Sequence, residues 1–250
     1  MSEKIVPSVM GAETMSARDE ILSSLLNSPI DRRELLRQLG VYLLPMELKR
    51  FLFFDSLYRQ FISVPGVIVE FGCRWGQNLS ILQNLRSIYE PYNYRRHILG
   101  FDTFSGLKGV GPKDGMHEMA VDGAYGITAG YESHLERVLA LKETQSPVAE
   151  VKKFELIKGD AVETFSKYLS EHPEMLVSFA YFDMDPYKPT LECLRLLKPR
   201  MTKGSIVGFD QLNFPPFPGE TMAFQEAVGA NQVRLQRNAY CHMESFFFVE

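Results

Sequence analysis

The chain has 250 residues, 45% hydrophobic and 23% charged, and 27 Lys and Arg against 31 Asp and Glu leave a formal net charge of −4. This length suits one domain with a large core plus a helical extension, and 18 Gly with 14 Pro exclude collagen-like and low-complexity chains. No basic block exceeds Arg95-Arg96, so no nucleic-acid partner bound through its phosphates is expected. No membrane partner is expected either, because no run nears the roughly 18 apolar residues of a span and the N-terminus lacks a signal-peptide apolar region. Cys73, Cys193 and Cys241 are widely spaced and read as reduced, buried thiols of a cytoplasmic protein.

In chain order, residues 1–14 have no periodicity and read as a loose tail. Ser16 is placed to cap a helix carrying Ile21, Leu22, Leu25 and Leu26, and Pro29 stops it. Asp31 caps the next, with Leu35, Leu36 and Leu39 on its stripe. Pro45 opens a third helix whose apolar face is Leu48, Phe51, Leu52, Leu57, Tyr58 and Phe61. Residues 1–65 thus form a helical extension, suited equally to capping a cleft or contacting another subunit and to plain packing on the sheet edge, and 66–250 a separate domain.

From Val67 short apolar runs alternate with helical patterns. The runs are Val67–Phe71, His97–Phe101, Phe154–Ile157, Val177–Phe182 and Ser205–Phe209. The helices fall near 77–89, 131–143, 161–170, 188–198 and 220–229, and Val233–Gln236 and Ser245–Val249 add a terminal strand pair. Continuous apolar runs mark strands covered on both faces. The expected fold is α/β, a doubly wound, mostly parallel sheet of seven strands. Residues 103–130 hold seven glycines and no convincing element, and a loop this long after a strand end reads as a lid.

Five strand ends carry candidate chemistry. After the first, Glu70-Phe71-Gly72-Cys73-Arg74-Trp75-Gly76 makes a tight glycine turn into a helix. Its G-x-x-x-G spacing lacks the middle glycine of a dinucleotide fingerprint, which disfavours NAD, while the acid suits a ligand with a cationic amine. Asp102 ends the second strand, where a carboxylate can accept both hydroxyls of a ribose. Gly159-Asp160-Ala161 follows the third strand and puts an acid within reach of a base amine, although Asp160 also reads as a helix cap. Asp183 ends the fourth run, inside Tyr181-Phe182-Asp183-Met184-Asp185-Pro186-Tyr187, and Asp210 and Gln211 end the fifth. Asp183, Asp210 and Gln211 offer hard oxygen ligands of the kind Mg²⁺ takes; two caps and a loop amide would leave the same pattern. The five histidines lack zinc spacing, and neither a G-x-S-x-G elbow nor a phosphate-binding P-loop is present.

Residues 67–249 resemble a class I S-adenosylmethionine-dependent methyltransferase of Rossmann-like fold, in the macrocin/mycinamicin sugar O-methyltransferase family of antibiotic pathways; a calicheamicin-type deoxysugar methyltransferase fits too. The resemblance rests on VIVEFGCRWGQNLSIL, GFDTFSGL, LIKGDAVETF, YFDMDPYKPTLECLRLLKP and KGSIVGFDQLNFPPFPGETMAFQEA, in that order. It implies that Glu70, Gly72 and Gly76 shape the pocket for the methionine part of S-adenosylmethionine, with Cys73, Arg74 and Trp75 beside it. Asp102 would bind the ribose, Thr103 and Phe104 would flank the adenosine, and Gly159, Asp160 and Ala161 would meet the adenine. Asp183 would stand beside the transferred methyl as the catalytic residue, and Asp183, Asp210 and Gln211 would hold Mg²⁺. Family members carry a second aspartate at the position of Gln211, so the site is one negative charge poorer.

The implied activity is methylation of a nucleotide-linked or glycosidic deoxysugar hydroxyl, probed against a catechol or phenol acceptor and against a non-catalytic adenosyl-ligand binding protein. S-adenosylhomocysteine is the expected product, the sugar the small-molecule partner and a homo-oligomer the expected assembly. The substrate's diphosphate would need cations, for which Lys108, Lys113 and Lys188 are the candidates.

Overall fold

The computed structural model describes residues 12–239, 241 and 243–250. Most of the expected N-terminal tail, up to residue 11, lies outside them. The chain divides into two compact units, the first ending at Leu52 and the second running from Phe53 to Glu250.

The first unit holds helix α1 (Ala12–Leu26), the short helix α2 (Arg32–Leu35), a 3-10 turn over Leu36–Val41 and the beginning of α3 (Pro45–Phe61). Ala12, Glu13, Thr14 and Met15 extend α1 ahead of Ser16, the expected cap. Asp31 caps α2 as expected, its Oδ1 accepting the Arg33 N–H at 2.9 Å, and Pro45 opens α3. The face expected for α3 needs correction. Leu48, Phe51 and Leu52 are exposed, whereas Phe53, Phe54, Leu57, Tyr58 and Phe61 are buried at helical spacing in the second unit's core.

In the second unit β1 (Val67–Phe71), α4 (Gln77–Tyr89), β2 (Ile98–Asp102), α5 (Tyr131–Glu143), β3 (Phe154–Lys158), α6 (Ala161–Glu171), β4 (Val177–Phe182), α7 (Tyr187–Leu197), β5 (Met201–Phe209), α8 (Gly219–Ala227) and β6 (Ser245–Phe248) follow in order. The sheet runs β3-β2-β1-β4-β5-β6, with β6 alone antiparallel. It is the doubly wound, mostly parallel sheet expected, with six strands rather than seven among the described residues. Val233–Gln236 contributes only a bridge between Gln236 and Phe246. A turn closed by Gln232 N–H to Gly229 O at 3.0 Å precedes that run and one closed by Cys241 N–H to Asn238 O at 3.2 Å follows it, leaving too little extended chain to pair further.

The register aligns Phe71 with Phe101 and Phe182, and Phe182 with Phe209. Their rings stack sideways across the sheet, with centroids 5.5 Å apart for Phe101–Phe71, 4.9 Å for Phe71–Phe182 and 5.3 Å for Phe182–Phe209. This buried row ends the apolar core, and the next residue on each strand, Gly72, Asp102, Asp183 and Asp210, stands at the carboxyl edge. Cys73, Cys193 and Cys241 are all buried. No helix among the described residues is long and apolar enough to cross a membrane.

Candidate functional site

Beyond β1 the chain passes through three left-handed residues, Gly72 (φ 88°), Arg74 (φ 46°) and Gly76 (φ 78°). Backbone pairing continues one residue past the strands: Gly72 N–H donates to Phe101 O at 2.9 Å, and Asp183 N–H to Phe71 O at 2.8 Å. A Cβ on Gly72 would collide with the Asp183 carbonyl, so only glycine lets the two strand ends approach. Glu70 is fully buried and its Oε1 accepts Asn78 Nδ2 at 2.7 Å; the same amide reaches Asp183 Oδ2 at 3.4 Å. Burial, followed by the charges of Glu70, Asp102 and Asp183, pushes the Cys73 thiol well up. These three acids, far apart in sequence, therefore converge on one edge.

Asp102 is fixed by backbone donors from both sides, Arg74 N–H to Oδ2 at 2.7 Å and Phe104 N–H to Oδ1 at 2.5 Å. A carboxylate offers about four lone-pair sites, so two stay open to a diol. Thr103 closes its own turn, its Oγ1 donating to Gly106 O at 2.7 Å. Gly159 N–H donates to Asp102 O at 2.9 Å. Asp160 Oδ1 caps α6 through Val162 and Glu163 N–H, and Oδ2 pairs with Lys108 Nζ at 3.0 Å. Burial raises the Asp160 carboxyl, but Lys108 and the cap donors outweigh it and hold it low. Asp160 is thus a cap and an edge acid together, and Ala161 opens the helix behind it. Trp75 meets Tyr131 edge to face at 4.8 Å, and the Tyr131 hydroxyl donates to Trp75 O at 3.0 Å. Arg74 lies over the Tyr125 ring at 5.3 Å.

These residues fit S-adenosylmethionine: acids for an amine and a ribose diol, glycines that bring backbone close, and a helix N-terminus at Gly76 with no side-chain cap to compete for a carboxylate.

Four further groups were not singled out from sequence. Asp185, left-handed at φ 63°, accepts Gln211 Nε2 on Oδ1 at 3.0 Å, and burial with the charges of Asp210 and Asp114 raises its carboxyl to about 7. Glu220, fully buried in the first turn of α8, accepts Gln211 N–H at 3.2 Å; burial, then Asp185, Asp210 and Asp183, raises it well above its ordinary range. Asp114 and Tyr125 come from the glycine-rich segment, and the Tyr125 hydroxyl is pushed up to about 12 by burial and by Asp185. Asp185 and Asp114 border, with Leu107, Val110, Ala120 and Phe217, a packed gap too small for a water molecule. The one sequence signal for Asp185 was its place in Asp-x-Asp; Glu220, read as part of a helix, had none.

The donors Asp183, Asp210 and Gln211 are of the hard type Mg²⁺ takes, but their arrangement is not a ready metal site. Among the described residues no three His, Cys, Asp or Glu side chains are grouped to hold an ion. Asp210 Oδ1 accepts the Tyr181 hydroxyl at 2.9 Å, and Gln211 offers its amide nitrogen, not its oxygen, to Asp185. Of the proposed diphosphate cations, Lys108 is paired with Asp160 and Lys113 with Glu226 at 3.4 Å, while Lys188 is exposed.

No protein-family model matches the sequence, and no curated protein matches it. Among solved structures it is similar to CalS11, a calicheamicin methyltransferase, with TM-score 0.93 and 36% identity over 96% of this chain and 94% of that one. An apo structure of CalS11, described as a TDP-rhamnose 3'-O-methyltransferase of calicheamicin biosynthesis, matches with TM-score 0.86 and 34% identity over 96% of both chains. The O-methyltransferase NovP, at 18% identity over 80% of this chain and 79% of its own and TM-score 0.60, shares the fold. With the edge acids in order and more than a third of the residues shared along nearly the whole of both chains, the chain belongs to the S-adenosylmethionine-dependent sugar O-methyltransferase family that includes CalS11.

Proposed function

We propose that this enzyme transfers the methyl group of S-adenosylmethionine to one hydroxyl of a nucleotide-linked or glycosidic deoxysugar in natural-product biosynthesis. The observation that carries the reading is the ordered row Asp160, Asp102, Glu70 and Asp183 along one edge, in a chain so similar to a TDP-rhamnose 3'-O-methyltransferase. When bound, the cofactor supplies an already activated methyl group. The protein has to align the acceptor oxygen and take its proton. Asn78 holds Glu70 and Asp183 in one hydrogen-bonded group, so the cofactor-side acid and the acid beside the acceptor move together. Asp183 accepts the proton of the sugar hydroxyl in this reading, and Asp185, tied to Gln211, faces the acceptor from the glycine-rich side.

The edge supplies hard oxygen donors, and a rate that rises when Mg²⁺ is returned to chelator-treated enzyme would show that a divalent ion assists the transfer. In the same proposal residues 66–250 are the catalytic domain and residues 1–65 a helical extension to it. Exposed Leu22, Leu26, Leu36 and Val41 support self-association, and three buried cysteines agree with a reducing, cytoplasmic setting.

The test is labelled S-adenosylmethionine incubated with panels of TDP-deoxysugars and of catechols. Transfer to a sugar is expected, and Asp183→Asn should lower kcat by about 10²–10⁴ while S-adenosylhomocysteine binding persists. Transfer to catechols alone, or an unimpaired Asp183→Asn enzyme, would sink it.

A further inference from the structure

Tyr187, the residue closing the Asp-x-Asp-Pro-Tyr sequence, is gripped at both ends by two consecutive residues of the glycine-rich segment. Asp114 is 4% exposed, and its Oδ1 accepts the Tyr187 N–H, the first of α7, at 2.6 Å. Its Oδ2 accepts the Gly111 N–H at 2.7 Å, closing its own turn. Pro186, immediately before α7, has no side chain able to cap a helix, so the cap comes from a residue 73 positions upstream. Lys113 Nζ meets the Tyr187 hydroxyl at 2.7 Å and lies 3.9 Å from the centre of its ring, and Glu226 of α8 accepts that hydroxyl.

The fit admits no extra atom. A Cβ on Gly219 would come within 2.6 Å of Asp185 O and 2.7 Å of Tyr187 N, and against Asp114 Oδ1; one on Gly115 would lie 2.9 Å from Pro216 O. Six residues before Asp114, Lys108 pairs with Asp160 at the far side of the edge, after β3. The segment therefore straps the carboxyl edge from β3 to α7, with Tyr125 placed between beside Arg74.

We propose that Asp114 and Lys113 are positioning residues that latch this strap onto Tyr187, hold it across the site while methyl donor and acceptor are aligned, and release it to let the product leave. The inference rests on the methyl-transfer reading for what the strap encloses; the latch itself stands on the contacts with Tyr187. Buried and charge-assisted, the Asp114 bond to the α7 N-terminus is the stronger half of the grip.

The test begins with hydrogen exchange on the full chain without ligand. Asp114→Ala should speed exchange of the Val110, Gly111 and Gly123 amides by about tenfold or more, the equivalent of one charge-assisted hydrogen bond, while the α4 amides keep their protection. Lys113→Met, at an exposed position, should produce a smaller rise in the same amides and carries the test if Asp114→Ala fails to fold. Both variants should release S-adenosylhomocysteine faster in stopped flow and raise the acceptor KM more than they lower kcat, a split that mere loss of stability would not produce. Unchanged exchange in the segment, or faster exchange with unchanged product release and KM, overturns the latch. Failure of the wild-type protein to bind S-adenosylhomocysteine overturns the methyl-transfer reading instead, and the exchange result still judges the latch.

Discussion

Three strands end on the same dipeptide, Phe-Asp, at Phe101-Asp102, Phe182-Asp183 and Phe209-Asp210, and a fourth on Phe71-Gly72. The physics is that of one sheet edge. The last in-facing position is filled by a ring that stacks on its neighbours, and the next residue has left the core and can carry a charge. Asp102 and Asp183 were legible for this reason, since each follows an apolar run. Asp185 and Glu220 were not, because their importance comes from partners distant in sequence and from burial that no local pattern reports. Gly72 is where the edge is least tolerant. Alanine there would combine a left-handed backbone with a collision against the Asp183 carbonyl, and the variant should lose about 3 kcal/mol or more of stability. Urea denaturation measures it, and a loss under about 1 kcal/mol would show that the strand ends can part without cost.

At the scale of elements, the parallel strands and the helices between them were readable because each is a continuous apolar run or a 3.6-residue stripe of ordinary length. The face of α3 was misassigned because apolar residues occur almost all round it, and which of them are buried is decided by the sheet they meet. The run Val233–Gln236 has strand composition but turns close on both sides. The Arg95-Arg96 pair, one of four adjacent basic pairs in the chain, hides a structural clamp. Arg96 is 3% exposed. It donates to the carbonyls of Ile62, Val64 and Gly66 at 2.9, 2.8 and 2.7 Å, to Ser178 Oγ at 2.7 Å, and to both oxygens of Glu90. It thereby satisfies the backbone between α3 and β1 and sets how the first parallel strand leaves the helix. Arg96→Met strands these carbonyls and leaves Glu90, part-buried and also bound to the Tyr58 hydroxyl at 2.6 Å, without its cation. A loss of about 3–5 kcal/mol is expected, read as a lower denaturant midpoint. A change under about 1 kcal/mol would mean that water replaces the guanidinium.

The whole molecule brings together residues from Glu70 to Glu220 on an edge that exists only when the sheet is assembled, so a ligand of that edge must stabilise the folded chain by mass action. S-adenosylhomocysteine at a hundredfold excess over its Kd should add about 2.7 kcal/mol. For a chain of this size each kcal/mol moves Tm by about 2–4 °C, so a rise of about 5–10 °C is expected in a thermal melt. The rise should follow ligand concentration logarithmically above Kd, as mass action requires. Asp102→Ala removes the acceptor that backbone donors hold at the end of β2 and should shrink the shift, whereas Lys167→Ala, on an exposed face of α6 and paired with Glu171 at 3.7 Å, should leave it intact. On the proposed placement of the cofactor, adenosine would meet the Asp102 and Asp160 positions but not the β1 turn with Glu70 and Gly72, so it should give a smaller rise than S-adenosylhomocysteine. A melt that no adenosyl ligand moves would mean that the acids, though gathered on one edge, hold one another and nothing else.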